Sequence, residues 1–457
     1  MADAAPVPDA AGADEQAGGR ADVPWREAFR FWLKLGFVSF GGPAGQISIM
    51  HQELVERRRW ISEQRFLHAL NYCMLLPGPE AQQLATYIGW LMHRSWGGIV
   101  AGTLFVLPSL VLLVGLSWLY MAFGHLPLVA GLFYGIKPAV TAIVLQAAHR
   151  IGSRALTNRL LLSLAALSFL ASFALQIPFP FIVLVAAGLG YAGGQLAPAL
   201  FQTGGGHGSQ ARHQGPSLID DHTPTPAHAR FAWPRLAKVC AAGLLLWAVP
   251  MGLLTAVWGW DQVFTQMSWF FTKAALLTFG GAYAVLPYVY QGAVEQQAWL
   301  TPLQMIDGLA LGETTPGPLI MVVAFVAFVG AYVQAPFGAD GVFLAGALAA
   351  TLVTWFTFLP SFVFILAGGP LVESTRKNLT FTAPLTAITA AVVGVILNLA
   401  LFFGYHVFWP RGLTGAPDFA SVVIALAAGL ALFRYKRSVI EVIAACAAVG
   451  LVTALWH

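Results

Sequence analysis

Three lysines, Lys34, Lys137 and Lys273, lie inside long apolar stretches of this sequence. A charge at the centre of a bilayer costs roughly 3 kcal/mol or more, so each lysine is a candidate binding residue for an anion. The alternative is that the long side chain carries its ammonium to the membrane surface. Lys34 and Lys273 each precede a Phe-Gly-Gly motif by six residues, which favours a function for this pair.

The two Phe-Gly-Gly motifs end at Gly41-Gly42 and at Gly280-Gly281. A glycine inside a helix destabilises it by up to about 1 kcal/mol relative to alanine. Each pair therefore predicts a helix break with exposed backbone amides, and Pro43 after the first pair favours this interpretation. Close packing of two helices through small residues is the alternative.

Two Pro-Gly-Pro motifs, with Gly78 and Gly317 at their centres, predict a second kind of break. Two prolines within three residues remove backbone donors and clash with the preceding turn, which disfavours a continuous helix. Proline is well suited to begin a new helix. The N-terminus of that helix presents unpaired N–H groups and a positive dipole end, which bind anions. These motifs together predict a site for a small anion.

Acidic and hydroxyl side chains flank these motifs. Glu80 directly follows the first Pro-Gly-Pro and Glu313 lies shortly before the second, so both are candidate coupling acids that exchange protons during transport. For Glu80, a favourable acid in the first turn of a helix is an equal alternative. Ser39 and Thr278 are suited to hydrogen-bond an oxyanion or to hold helices together. The same two interpretations apply to three glutamines: Gln46, Gln82 and Gln83.

These motifs belong to an internal repeat. The 46 residues from Lys34 to Pro79 recur 239 positions later without a gap, and 12 of them are identical. Leu107-Pro108-Ser109 recurs at 359–361. The chain therefore consists of two copies of one unit.

The composition indicates a membrane protein. Hydrophobic residues make up 58% of the chain, charged residues only 10%, and the mean hydropathy is +0.71. Soluble proteins have about 25% charged residues. The net charge of +4 comes from loop residues with no basic, aromatic-rich face, so nucleic acid is not an expected partner. The three cysteines have no metal or redox spacing, and no cofactor or metal is expected.

The predicted fold is an all-α polytopic membrane protein with about 13 transmembrane helices in two inverted-topology repeats with broken helices. The first span of the second repeat comes seven crossings after the first span of the first repeat. Because seven is an odd number, the second copy is inverted in the membrane. The predicted spans are 29–50, 67–95, 97–122, 127–149, 158–176, 179–197, 237–258, 262–289, 303–333, 341–366, 381–404, 417–433 and 437–456.

The domain boundaries follow from these spans. Residues 1–24 predict a disordered N-terminal tail, 25–197 the first repeat, and 198–236 a cytoplasmic linker rich in Gly, His and Pro. Residues 237–457 form the second repeat with one extra transmembrane helix at 237–258.

The loop charges orient the chain with its N-terminus in the cytoplasm. Sixteen Lys and Arg then lie inside and five outside. The loop 51–66 does not fit this orientation, because thirteen spans place its four arginines outside. A broken hairpin at 29–50 that does not cross the membrane is the alternative, and whether 262–289 crosses is equally open.

Phe40-Gly41-Gly42-Pro43, Val55-Glu56 with Trp60, the Pro-Gly-Pro motif and their second copies resemble the chromate ion transporter (CHR) family, long-chain bidomain type. The resemblance implies a multi-pass transporter of the bacterial inner membrane that exports chromate and confers resistance to it. It also implies that the membrane potential or a proton gradient drives export, with sulfate as a competitor.

Two other classes of function stay open. A carrier of sulfate or another small oxyanion would share every feature above. A membrane-embedded enzyme is more distant, because the spans contain no HExxH or GxSxG motif. The expected partners are chromate, sulfate as a second anion, and the lipid bilayer. The oligomeric state stays open, with a homodimer among the alternatives.

Overall fold

The structure, a computed structural model, describes residues 23–201, 217–221, 223, 226–374 and 382–456. The predicted tail 1–24 therefore lies outside the described residues except for its last two. Helices account for the secondary structure of the described part, apart from one isolated parallel bridge between Ile61 and Ile219. The chain is a helical membrane protein.

The first repeat begins with short helices and continues with long ones. Its elements are α1 (Trp25–Val38), α2 (Gly42–His51) with a π-helical end (Gln52–Arg57), α3 (Glu63–Leu75), α4 (Glu80–Phe123), α5 (Pro127–Ala155), α6 (Arg159–Phe173), α7 (Phe179–Leu196) and α8 (Pro198–Phe201).

The second repeat has a similar order of elements and follows an additional helix. A 3-10 turn (Ala227–Ala229) and α9 (Trp233–Trp258) precede it. The repeat contains α10 (Val263–Leu276), α11 (Ala282–Tyr290) with a π-helical end (Gln291–Gln296), α12 (Pro302–Thr314), a 3-10 turn (Leu319–Met321), α13 (Val322–Gln334), a 3-10 turn (Ala339–Gly341), α14 (Val342–Ser374), α15 (Thr382–Phe408), α16 (Phe419–Phe433) and α17 (Val439–Trp456).

Helix α4 consists of two antiparallel arms. Its backbone leaves the helical region at His93 and Arg94, where Arg94 has φ 57°. A Cβ placed on Gly89 would lie 2.5 Å from the carbonyl oxygen of Gly97, so glycines allow the arms 80–92 and 95–123 to approach closely. This chain reversal agrees with the turn predicted between spans 67–95 and 97–122.

Six of the described helical segments are long and apolar enough to cross a membrane. Four further apolar helices of the described part are shorter, with 10–17 residues: Arg159–Phe173, Leu319–Gln334, Phe419–Phe433 and Val439–Leu455. The six are Glu80–Phe123, Pro127–Ala155, Phe179–Leu196, Trp233–Trp258, Ala339–Glu373 and Ala383–Phe408.

The first broken element folds back on itself. Arg58, just after the end of α2, pairs with Glu27 at the start of α1, with Nη1 and Oε1 2.8 Å apart. A helix broken but still running across the membrane would hold these residues far apart. Helices α1 and α2 thus form a hairpin with its tip at 39–41.

Ring contacts identify hairpins at two of the other breaks. Tyr72 of α3 lies 6.0 Å from Tyr87 of α4, centroid to centroid. In the second repeat, Phe270 of α10 stacks on Tyr288 of α11 at 4.7 Å. In both pairs the residues lie at similar distances before and after the break, which is the register of a hairpin.

Helices α12 and α13 form the last hairpin. A Cβ placed on Gly308 would lie 2.3 Å from the ring of Phe325. These residues are nearly equidistant from the Pro-Gly-Pro motif at 316–318. A glycine at 308 therefore allows the two arms to pack closely.

The described part of the linker contacts the loop that follows α2. Leu218 N donates to Arg59 O at 2.9 Å, Ile219 N to Trp60 O at 3.0 Å, and Ser62 N to Ile219 O at 3.0 Å. Thirteen crossings place 51–66 and the linker on opposite sides of the membrane. Paired backbones must lie on one side, so the predicted placement of this loop opposite the linker is wrong.

The two repeats interlock through their long helices. Helix α5 of the first repeat packs against α16 and α17 of the second, and α15 of the second packs against α6 and α7 of the first. A Cβ on Gly135 would lie 1.9 Å from Cys446 O, and one on Gly394 would lie 2.0 Å from Ala165 O. Glycine allows these helices to approach within backbone contact.

Candidate functional site

The tips of the four hairpins meet in two pairs, and a backbone hydrogen bond joins the two repeats in each pair. Gly78 N, in the first Pro-Gly-Pro, donates to Thr278 O, one residue before the second Phe-Gly-Gly, at 2.8 Å. Gly317 N donates to Ser39 O at the same distance of 2.8 Å. Each Pro-Gly-Pro thus contacts the Phe-Gly-Gly element of the opposite repeat.

Six glycines adopt the left-handed backbone conformation that the breaks require. A side chain there would strain the backbone, which explains why glycine occupies the same positions in both copies. The φ values are 86° for Gly41, 68° for Gly42, 126° for Gly78, 79° for Gly280, 94° for Gly281 and 102° for Gly317.

Four backbone amides at the Phe-Gly-Gly breaks are available to a ligand. Among the hydrogen bonds of the described residues, none has the N–H of Gly41, Gly42, Gly280 or Gly281 as its donor. Helix α2 begins at Gly42, and helix α11 begins at Ala282, directly after Gly281. Unpaired amides at helix starts are the groups that bind small anions.

The hydroxyls of Ser39 and Thr278 are engaged within their own helices. Ser39 Oγ donates to Leu35 O and Thr278 Oγ1 to Ala274 O, both at 2.6 Å. In this arrangement the two residues contribute their carbonyl groups to the junction.

Amide side chains support the hairpin tips. Gln46 Nε2 donates to Gly317 O at 2.5 Å and to Ser39 O at 3.2 Å. Gln83 Nε2 donates to Pro77 O at 2.8 Å. The side-chain oxygens of Gln46, Gln82 and Gln83 are buried and have no hydrogen-bond partner among the described residues.

The repeated Leu-Pro-Ser motifs contact the Pro-Gly-Pro glycines across the repeats. A Cβ on Gly78 would lie 2.4 Å from Ser361 Oγ, and one on Gly317 would lie 2.8 Å from Ser109 Cβ. Only a glycine fits at either contact.

Glu80 reaches the break of the opposite repeat. A Cβ on Gly281 would lie 3.8 Å from Glu80 Oε1, and the Glu80 side chain is half-buried. Leu319 occupies the equivalent position after the second Pro-Gly-Pro, so this contact has no counterpart at Gly41-Gly42.

Glu313 is connected to the same break by a hydrogen bond from a tyrosine. Glu313 Oε1 accepts a hydrogen bond from Tyr283, two residues after Gly281. The guanidinium of Arg150, on α5, lies 5.8 Å from the centre of the Tyr283 ring. Both predicted coupling acids are therefore brought to the second break. In the first repeat, Met74 stands at the position of Glu313.

The three lysines occupy different environments. Lys34 and Lys273 are exposed on α1 and α10, and Lys273 Nζ lies 5.6 Å from the centre of the Trp269 ring. Lys137 is partly buried, and its Nζ lies 3.4 Å from Asp307 Oδ2. The lysines are thus not gathered at one point.

Sequence reasoning missed Asp307, Tyr283 and the inward role of Arg150. Asp307 is an acid within the apolar stretch 303–333, and the rule that identified the lysines would have found it. The predicted span 127–149 ends just before Arg150, whereas α5 extends six residues beyond that span and carries Arg150 as a helical residue.

Comparison with known proteins decides the family. A family profile described as Chromate transporter matches residues 26–191 and 265–451. These two regions contain all four hairpins. The chain belongs to the chromate transporter family.

Several relatives of this family match over nearly the whole chain. A chromate transport protein from Pseudomonas aeruginosa is 32% identical over 94% of this chain and 92% of the relative. One from Cupriavidus metallidurans is 28% identical over 93% of this chain and 92% of the relative. A probable chromate transport protein from Synechococcus elongatus is 26% identical over 93% of this chain.

No solved structure is significantly similar to this chromate transporter family member. The described residues contain no group of three or more His, Cys, Asp or Glu side chains that could hold a metal ion.

Proposed function

We propose that this protein is a secondary transporter that exports chromate across the bacterial inner membrane and confers chromate resistance. The single observation that carries the proposal is the junction of four hairpin tips, where opposed glycine motifs leave four backbone amides free. Non-helical backbone is tolerated at membrane depth where it lines a cavity. The relatives named as chromate transport proteins support chromate as the cargo.

The proposed topology has nine crossings and four re-entrant hairpins in place of thirteen crossings. The crossings are the second arm of α4, then α5, α6, α7, α9, and α14 to α17. The hairpins of the first repeat enter from the side of the linker, and those of the second repeat enter from the other side, because α9 crosses between them. The repeats are then inverted, as in many secondary transporters.

Loop charges support this topology. The loop 51–66 moves to the inner side, together with the linker that it contacts. Twenty loop Lys and Arg then lie inside and one, Arg411, outside, where the thirteen-span arrangement gives sixteen and five. The chain then follows the positive-inside rule with its N-terminus in the cytoplasm.

In the proposed site, a tetrahedral dianion binds between the two Gly-Gly breaks. The amides of Gly41, Gly42, Gly280 and Gly281 donate to its oxygens, and the starts of α2 and α11 add their positive dipole ends. Gly78 and Gly317 hold the two halves of the site together through their hydrogen bonds across the repeats.

The charged residues act around this site in the proposed mechanism. Lys34 and Lys273 attract the dianion from the two sides, and Lys137 supplies a cation closer to the interior. Glu80 and Glu313 are the coupling acids. A carboxylate next to Gly281 repels an anion at that break, whereas its protonated form does not, so proton binding and anion binding at this break are linked.

Transport by the purified protein tests the proposal. We expect proteoliposomes containing the protein to exchange labelled chromate faster than liposomes without it, and excess sulfate to slow the exchange. Absence of chromate exchange in correctly oriented, folded protein would rule out chromate as the cargo. A membrane potential and a pH gradient are then imposed separately. The one that causes chromate to accumulate in the proteoliposomes is the driving force.

A sulfate carrier is the second candidate, because the amide site recognises a tetrahedral dianion rather than chromium. In the same proteoliposomes, labelled sulfate exchanged at least tenfold faster than chromate would favour this alternative.

A further inference from the structure

A buried ion pair joins the two repeats outside the glycine junction. Lys137 Nζ, on α5, lies 3.4 Å from Asp307 Oδ2, on α12. The hydroxyl of Tyr120, at the end of α4, donates to the same Oδ2 at 2.8 Å. The side chain of Asp307 is 2% exposed and that of Lys137 is 24% exposed.

The second oxygen of Asp307, Oδ1, has no hydrogen-bond partner within the part of the chain that the structure describes. Asp307 Oδ1 is buried and accepts no hydrogen bond from the described residues. An ionised carboxylate in a buried site needs all of its lone pairs satisfied, and an unpaired oxygen carries a desolvation penalty. A proton on Oδ1 would remove the charge and reduce that penalty. The geometry therefore leaves one oxygen of this carboxyl group free to accept a proton.

The charge state of Asp307 depends on one neighbouring cation, the ammonium of Lys137. Lys137 and Tyr120 are the titratable side chains that interact with it. Within the described residues, the other elements packed on α12, namely α13, α15 and α17, bring no charged group into contact with it. The rings of Phe133 and Phe325 lie 5.0 Å and 5.4 Å from the Tyr120 ring and enclose the site.

Neither member of the ion pair is repeated in the other half of the chain. The position equivalent to Lys137, 252 residues later, is Thr389, whose Oγ1 would lie 3.5 Å from a Cβ on Gly280. The equivalent of Asp307 in the first repeat is His68. The Lys–Asp pair at these two positions is therefore specific to one half of the repeated architecture.

We propose that Asp307 is a proton-binding site that is linked to the anion through Lys137. In the empty transporter the ammonium of Lys137 is paired with Asp307. An oxyanion that enters binds the ammonium of Lys137 and separates it from Asp307. Breaking this buried ion pair leaves an uncompensated negative charge on Asp307. A proton from solvent then bonds to Oδ1, and the carboxyl group becomes neutral. Tyr120 holds the neutral group in place.

The linkage has a definite sign. Because anion binding promotes proton uptake at Asp307, proton binding must strengthen anion binding to the same extent. For one linked proton, the anion affinity rises as the pH falls, by at most about tenfold per pH unit. This inference rests on the proposed function, since it requires an oxyanion to bind in the first place.

Calorimetry of sulfate binding to the purified full-length protein, in Hepes and in Tris, measures the protons taken up per anion. We expect the wild type to take up as much as one proton per anion more than Asp307→Asn, whose remaining uptake belongs to Glu80 and Glu313. Asp340→Asn, which changes an exposed acid, should behave as the wild type. Lys137→Gln serves as a second variant, because Asp307 is then protonated before the anion arrives, and it should show the same reduced uptake as Asp307→Asn.

The outcomes separate this inference from the proposed function. Wild-type binding without proton uptake, or unchanged uptake in a folded Asp307→Asn or Lys137→Gln variant that binds sulfate, would overturn the inference and leave the anion site intact. Failure of the wild type to bind sulfate, molybdate or chromate would overturn both.

Discussion

The amide of Gly78 donates to the carbonyl of Thr278 at 2.8 Å, and the repeat-related amide of Gly317 donates to Ser39 at 2.8 Å. This pair of bonds links the tip of a hairpin in one repeat to the tip of a hairpin in the other. Each Pro-Gly-Pro break is therefore joined to a Phe-Gly-Gly break of the other repeat, and a change at Gly78 or Gly317 acts on both halves.

Gly78→Ala tests this junction. The new methyl group would lie 2.4 Å from Ser361 Oγ at a residue whose φ is 126°. Strain of this kind costs about 1–3 kcal/mol and displaces the tip of the hairpin. We expect chromate exchange in proteoliposomes to fall at least tenfold, with protein still present in the membrane.

Gly188→Ala is the matched control, because a Cβ there meets nothing within 4 Å and the residue lies in helix α7. It should exchange chromate at the wild-type rate. Wild-type exchange by Gly78→Ala would show that the contact between the tips is dispensable.

Two single cysteines distinguish the nine-crossing topology from thirteen crossings. Gln64 and Gln297 are exposed and follow the first hairpin of each repeat. In a variant without native cysteines, we expect a membrane-impermeant thiol reagent added to intact cells to label Gln297→Cys and not Gln64→Cys. Thirteen crossings predict the reverse.

Two further positions calibrate the labelling. Ser153 is inside and Thr414 is outside in both topologies, and both are exposed. Ser153→Cys should react only after the cells are opened, and Thr414→Cys should react in intact cells.

Glu80→Gln tests coupling at the second break. The substitution keeps the shape of the side chain and removes the proton that it can exchange next to Gly281. We expect exchange of chromate to continue, while accumulation driven by a pH gradient falls at least fivefold. Glu56→Gln, at a side chain that is 44% exposed, is the control and should accumulate chromate normally. Normal accumulation by Glu80→Gln would remove Glu80 from the mechanism.

Lys34→Ala and Lys273→Ala test whether the paired lysines attract the cargo. Both side chains are exposed, and the ammonium of Lys273 faces Trp269 at 5.6 Å. We expect either substitution to abolish chromate resistance in cells, and the loss to be greater at low ionic strength in vesicles. Lys238→Ala, at another exposed lysine on α9, should leave resistance unchanged. Full resistance in both test variants would show that the two ammonium groups lie at the membrane surface and do not attract the cargo.

The sequence predicted the breaks correctly, because glycine pairs and Pro-Gly-Pro carry local steric rules that need no tertiary contact. It left undecided whether segment 29–50 crosses the membrane. Hydropathy measures the apolar length of a segment and not its direction, and only the pairing of Arg58 with Glu27 identified the hairpin. The contact between Lys137 and Asp307 could not be predicted either, because it depends on how α5 and α12 pack.

Accessibility of a cysteine at Gly42 tests the central claim most directly, namely that the glycine junction is a water-lined oxyanion site. A Cβ at Gly42 meets nothing within 4 Å, and the φ of 68° lies in the left-handed region that single non-glycine residues adopt at a cost of about 1–2 kcal/mol, so a cysteine can be placed there. In the protein without native cysteines, Gly42→Cys should react with a negatively charged methanethiosulfonate, and sulfate or molybdate, which do not oxidise thiols, should slow the reaction at least fivefold. Gly188→Cys should not react. An unreactive Gly42→Cys, or a reaction that neither anion slows, would contradict the account.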